Sequence, residues 1–316
     1  MSRGSLLKFA VALACIGFVA AAVIDQGQQL LALRISRQGW LWLAVGLGIT
    51  TTSMVCNAGV WAVLLRWLGR WPKGLEPFTL YLTTNVLKYL PGNVWHLAAR
   101  VKALKPVFGL APALVSVLLE PILMATAALA LVPLGGLQGG LGLIALLPLL
   151  ALMPRWLNPL LARLERSRAE AMHLEGELAA EPAWSVPGYP LLPLLAALAF
   201  VLIRFLGFAC CVVAFSEQAA AGWPVWIAGF ALAWTAGLVV PGAPGGLGVF
   251  EAALLLRFGS LIPEAPLLAI ALCYRLLATL ADGLLAATGH LDRRLVGPPA
   301  AAAAPAVSLS EGSSSS

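Results

Sequence analysis

The chain of 316 residues is 60% hydrophobic and only 11% charged, with a formal net charge of +6. An ordinary soluble domain carries about 25% charged residues, so a soluble fold of this length is excluded. The positive balance does not mark a nucleic-acid binder, because Lys and Arg cluster in short loops beside apolar segments, where membrane topology requires them.

Crossing about 30 Å of hydrocarbon at about 1.5 Å per residue takes roughly 20 apolar residues. The segments at 6–24, 39–65, 109–132, 135–153, 187–215 and 265–290 meet that requirement. None alternates with period two, and barrel strands need only about ten residues, so helices are the spanning element and a β-barrel is excluded. The first segment has Arg3 and Lys8 before it and Ala20, Ala21 and Ala22 near its end, a pattern shared with cleavable signal peptides. The topology below works best with that helix retained. Cys15, Cys56, Cys210, Cys211 and Cys273 all lie in apolar runs without metal-type spacing to histidine. They read as small hydrophobes, and no metal or other cofactor is expected.

Two further stretches are apolar but interrupted. The first covers 79–101, with Lys88 inside it and Pro91-Gly92 at its middle; the second runs from Trp223 into the Gly- and Pro-rich stretch at 241–248 and resumes over 249–258. Proline removes a backbone donor and glycine lowers helix propensity, so both helices should break. Each arm of the first is about half a membrane long. Such backbone is tolerated only inside protein or around a wet cavity, which makes both stretches re-entrant hairpins.

Loop charges set the orientation. Arg3 and Lys8, Arg66 with Arg70 and Lys73, Lys102 with Lys105, Arg155 through Arg168, and Arg293 with Arg294 are placed in the cytoplasm, whereas loops 133–138 and 215–222 carry no Lys or Arg and belong outside. The loop at 25–38, with Arg34 and Arg37, is discordant. The expected fold is therefore an all-α integral membrane protein of about six transmembrane helices and two re-entrant broken helices, with both termini cytoplasmic. Residues 1–132 form a first repeat and 133–292 a second, inverted one, the recurring plan of secondary transporters with sites at the midplane. Within the second, 155–185 is an amphipathic cytoplasmic segment. Trp156, Leu157, Leu160, Leu161 and Leu164 share one of its faces, with arginines opposite. The tail at 293–316 is of low complexity and expected to be disordered.

Charges inside apolar segments cost roughly 2.5 to 3.5 kcal/mol each at a helix centre, so they face a partner or a cavity. Lys88, His96, Arg100, Glu120, Arg204, Glu251, Arg275 and Asp282 are of this kind. On a helix His96 shares a face with Arg100, and Arg275 with Asp282. Glu120 is expected to approach Arg204 or Arg275. Each residue also has a structural reading. Glu251 fits as a complement to the positive end of its half-helix, Glu120 as half of an ion pair, Arg100 as an interfacial anchor, His96 as a satisfied buried histidine, and Trp95 as an interface marker. Bases slightly outnumber acids, and free amides at two half-helix starts add positive potential, which suits an anion such as a phosphate head group.

The stretches Leu90-Pro-Gly-Asn-Val-Trp-His-Leu-Ala-Ala-Arg100 and Pro241-Gly-Ala-Pro-Gly-Gly-Leu-Gly-Val-Phe-Glu251 resemble the two signature motifs of the flippase-like family, typified by the transmembrane region of lysylphosphatidylglycerol synthase (the multiple peptide resistance factor). The resemblance spans about residues 5 to 292. It matches Pro91, Gly92, Trp95, His96 and Arg100 to the first motif, and Pro241, Gly245, Gly246, Gly248 and Glu251 to the second. It implies an inner-membrane protein that flips or handles a lipid, often beside a lipid-modifying or glycosyl-transfer enzyme. The soluble aminoacyl-transferase domain of the synthase is absent here, so lysyl transfer is not implied. The leading reading is a flippase or transporter of an anionic phospholipid or lipid-linked head group. The alternatives are a non-catalytic membrane subunit supporting a lipid-modifying or glycosyl-transfer enzyme, and a membrane-embedded lipid transferase. The chain shows no catalytic motif and no ATP-binding loop of Gly-x-x-x-x-Gly-Lys-Ser/Thr type, which leaves transport ion-driven, downhill or powered by a partner.

Overall fold

The computed structural model describes residues 35–69, 71, 76–85, 87, 95–136, 141–172, 174–180, 184–240, 246 and 248–296, with side chains of the last helix described to residue 285. Regular structure among the described residues is entirely helical: α1 (Arg37–Trp67), α2 (Pro77–Asn85), α3 (Trp95–Phe108), α4 (Leu110–Leu129), a 3-10 turn (Val132–Gly135), α5 (Leu141–Ile144), α6 (Leu147–Ala151), α7 (Pro154–Met172), α8 (Glu175–Ala180), α9 (Leu191–Ala214), α10 (Trp223–Val239), α11 (Val249–Phe258) and α12 (Glu264–Val296). The expected span at 6–24, and the tail beyond Val296, lie outside the described residues.

Among the described residues, four helical segments are long and apolar enough to cross a membrane: Arg37–Trp67, Leu110–Gly135, Leu191–Ala214 and Glu264–Leu285. They coincide with the expected spans at 39–65, 109–132, 187–215 and 265–290. The span expected at 135–153 is not one helix. Its described part is the short pieces α5 and α6, and the chain then turns by 80° into α7; counting this bent pair as a span gives five. The cause is local composition, since Pro133, Pro148 and Pro154 each favour a helix start over a continuation and Gly135, Gly136 and Gly142 weaken what lies between.

Helix α4 is the centre of the bundle. Every residue from Leu110 to Glu120 is buried, and the helix packs against α3, α7, α9 and α10. Gly109 joins α3 to α4 with φ +85, a conformation that costs a side-chain-bearing residue but not glycine. That turn lays α3 back along α4. Likewise α2 packs on α3, and α10 on α11.

The most extensive helix contact is between α1 and α9. Ser36 opens α1 by accepting the Gly39 N–H at 3.0 Å. Small residues then line the seam. An added carbon at Gly39 would meet the Ala214 carbonyl, one at Gly46 would meet Cys210, and one at Gly207 would meet Thr50. Numbers rise along α1 as they fall along α9, so the helices run antiparallel. Apolar burial gives no preference for helix over lipid, and close backbone approach through small residues is what holds such a pair together.

Helix α7 does not bury its apolar face as a unit. Leu157 and Leu161 are buried and Leu164 half-buried, but Trp156 and Leu160 are exposed. The apolar face thus divides between α4 and the outside of the bundle.

The seam makes a stability prediction. Gly207→Ala puts a methyl against the Thr50 hydroxyl, which should cost about 1 to 3 kcal/mol and lower the melting temperature of the detergent-purified protein. In a Thr50→Ala background the nearest side-chain atom is at ordinary contact distance, so the same substitution should cost much less.

Candidate functional site

A cavity of about 320 Å³ lies between α1, α2, α3, α4, α7, α9, α10, α11 and α12. Its charged lining is Arg100, Arg168, Arg204, Arg275 and Glu120, with His96, Asn57 and Asn85 adding polar groups. Four guanidiniums therefore converge on it, against one lining carboxylate.

Arg100 is 1% exposed, which excludes a role as an interfacial anchor. Its Nη1 donates to Glu120 Oε2 at 2.9 Å, its Nε donates to the Thr84 hydroxyl at 3.1 Å, and its guanidinium lies 3.8 Å from the Tyr81 ring centroid. Tyr81 O–H in turn donates to Glu120 Oε1. Arg100 is thus an ion-pair partner of Glu120, where Arg204 or Arg275 was expected. The reason is the Gly109 turn, which brings α3 alongside α4 and sets Arg100 opposite Glu120.

Arg275 Nε pairs instead with Glu251 Oε1. The other oxygen of Glu251 accepts the Gly248 N–H at 2.8 Å, closing the first turn of α11. Gly248 has φ +83, and Glu251 is buried. The two ion pairs are built alike with the charges exchanged. In each, one member sits on the helix after a Pro- and Gly-rich stretch (Arg100 on α3, Glu251 on α11). Its partner sits on the next helix (Glu120 on α4, Arg275 on α12).

Arg204 is different. It projects from the middle of α9, is 6% exposed, donates to the Ser53 hydroxyl at 3.2 Å and faces the Tyr274 ring at 5.4 Å. Among the described residues it has no carboxylate partner, and its Nε is buried without a hydrogen bond. A buried cation matched only by a hydroxyl and a ring face is incompletely compensated, at a cost of several kcal/mol in a low-dielectric setting.

Of the residues singled out from sequence, His96, Arg100, Glu120, Arg204, Gly246 and Arg275 line the cavity. Gly248, Glu251 and Asp282 stand behind its wall, where Asp282 accepts from Asn85 Nδ2 at 2.8 Å. Trp95 is 57% exposed, away from the lining. Gly246, at φ +72, approaches Gly237 so closely that an added carbon would sit 2.7 Å from the Gly237 carbonyl oxygen. Lys88, Pro91, Gly92, Pro241 and Gly245 lie outside the described residues.

Sequence reasoning missed Tyr81, Tyr274, Ser53, Asn85 and Arg168. The signal for the first two was their rarity: they are half of the chain's four tyrosines, set inside apolar segments. Arg168 figures in the sequence reading only as one of the cytoplasmic loop charges, and in the structure it lines the cavity. Among the described residues, no group of three or more His, Cys, Asp or Glu is placed to hold a metal ion. The sequence matches no protein-family model and no curated protein.

Breaking the first ion pair leaves a buried charge alone. Glu120→Gln and Arg100→Gln should each destabilise the protein by about 3 to 5 kcal/mol, read by thermal unfolding in detergent. The double variant should lose far less than the sum of the two, while Glu120→Gln combined with Arg204→Gln should show no comparable coupling.

Proposed function

We propose that this chain is a lipid flippase or transporter-like protein of the bacterial inner membrane, whose cavity takes an anionic phospholipid or lipid-linked head group. The observation that carries the reading is Arg204: a buried, cavity-facing guanidinium without a carboxylate among the described residues is a charge waiting for an anion. Arg168, also lining the cavity, adds a second cation. The resemblance to the flippase-like family, carried by the stretches at 90–100 and 241–251, supports the same substrate class.

The transporter architecture is proposed with it. α2 and α3, and α10 and α11, are the arms of two re-entrant hairpins, one in each of two inverted repeats. Two observations support this: α1 and α9, which are counterparts in that scheme, pack antiparallel, and the exchanged ion pairs occur at matching places. Both termini are assigned to the cytoplasm. A lipid-modifying or glycosyl-transfer enzyme is the natural partner of such a protein.

The test uses purified protein and vesicles containing labelled phosphatidylglycerol. Arg204→Gln should weaken phosphatidylglycerol binding by about tenfold and slow its translocation, while leaving the empty protein as stable as the parent or more so, because it removes an uncompensated charge. An arginine with a purely structural role would lose stability and leave lipid binding intact. Turnover of the labelled lipid would favour a transferase, and neither movement nor turnover a supporting subunit.

Orientation is tested separately. With the native cysteines replaced, Gln218→Cys should react with a membrane-impermeant thiol reagent from outside intact cells, and Ser185→Cys only after the cells are opened. The reverse pattern would overturn the inverted-repeat assignment.

A further inference from the structure

A second concavity, an open apolar groove of about 530 Å³, runs beside the arginine-lined cavity. Its walls are Ile122, Ala125 and Leu129 on α4, Leu147 and Ala151 on α6, and Val239 at the end of α10. Thr126 is the one polar side chain in the lining. The groove and the cavity share two residues, Pro121 and Leu238, so one opens directly beside the other. Pro121 follows Glu120 in sequence, and from Pro121 to Leu129 the groove follows α4 for about 12 Å. Helix α7 touches both compartments, contributing Leu160 to the groove and Arg168 to the cavity.

We propose that the groove seats an acyl chain of the same lipid whose head group occupies the arginine-lined cavity, with the Pro121–Leu238 junction as the point where the two parts of the molecule meet. The proposal rests on the head-group reading above and deepens it: the ligand is a long-chain amphiphile recognised at both ends, not a soluble anion. The argument is chemical continuity. A compartment in which Arg204 has no carboxylate among the described residues and Arg168 adds a further cation adjoins one that offers a single hydroxyl, and an anionic amphiphile satisfies both at once. Bulk bilayer lipid can fill an open apolar groove, but it gains nothing from the neighbouring guanidiniums. A lipid bound at both ends gains from each, so its affinity depends on chain length.

The experiment compares two probes on detergent-purified full-length protein: dipalmitoyl phosphatidylglycerol and its short-chain analogue dihexanoyl phosphatidylglycerol, with binding followed by native mass spectrometry. The parent should bind the long-chain lipid more tightly. Ala125→Trp fills the groove and should weaken dipalmitoyl binding by about tenfold while leaving dihexanoyl binding unchanged. Val239→Trp, from the opposite wall and at an exposed position, should give the same pattern and serves where the first variant folds poorly. Arg204→Gln should weaken both probes alike. Equal affinity of the parent for both probes, or undiminished dipalmitoyl binding by the tryptophan variants, would overturn the acyl-chain seat while leaving the head-group site standing. Failure of the parent to bind either probe would overturn the head-group reading and this proposal with it.

Discussion

A guanidinium cannot be left bare among hydrocarbon, and Arg100, Arg275 and Arg204 meet that constraint in three different ways. Arg100 is surrounded by a carboxylate, a hydroxyl and a tyrosine face. Arg275 holds a carboxylate whose second oxygen is engaged elsewhere. Arg204 has a hydroxyl and a ring. Arg100 and Arg204 each keep one buried nitrogen without a hydrogen bond, so what separates them is the counter-charge: an ion pair ties two helices together, whereas Arg204, without a carboxylate among the described residues, is the cation on which the proposed head-group site rests.

The packing of the helices serves that chemistry. Ser53 reaches Arg204 only because α1 and α9 approach closely along Gly39, Gly46 and Gly207. Glu120 reaches Arg100 only because Gly109 turns the chain through a positive φ. Beside the cavity, an aromatic cluster of Phe205, Phe208, Phe230, Phe250 and Tyr274 fills the space between α9, α10, α11 and α12. Phe250 and Tyr274 also line the cavity, so the rigid ring packing passes directly into its wall. The polar site is thereby supported by elements that cannot shift independently.

Spans over 39–65, 109–132, 187–215 and 265–290 were legible in the sequence because hydropathy alone decides them. The stretch at 135–153 was not, since its mean hydropathy matches theirs while its prolines and glycines govern the backbone. Buried charge was equally legible as a category: Arg100, Glu120, Arg204 and Glu251 are all buried. Pairing was not, because it depends on which helices the turns bring together, and the one-glycine link at Gly109 gave no local hint of its geometry. The amphipathic pattern of α7 placed its leucines on one face but could not say that the face is shared, nor that Arg168 faces inward. Tyrosine on a buried face reads as core, and its use against Arg100 and Arg204 emerges only when the helices are assembled.

The carboxylate of Glu251 spends its two oxygens on different tasks, one on the Gly248 amide and one on Arg275. Glutamine has a single acceptor oxygen and would have to abandon one of them, and aspartate is one methylene shorter. No single replacement among the natural residues reproduces both contacts, so drift at this position is closed unless the turn and the arginine change together. Glu120 stands in the same position between Tyr81 and Arg100. Descendants of this sequence are therefore expected to vary freely along the lipid-facing sides of α9 and α12 while holding these two acids fixed, and any lineage that loses one should have lost its basic partner in the same step.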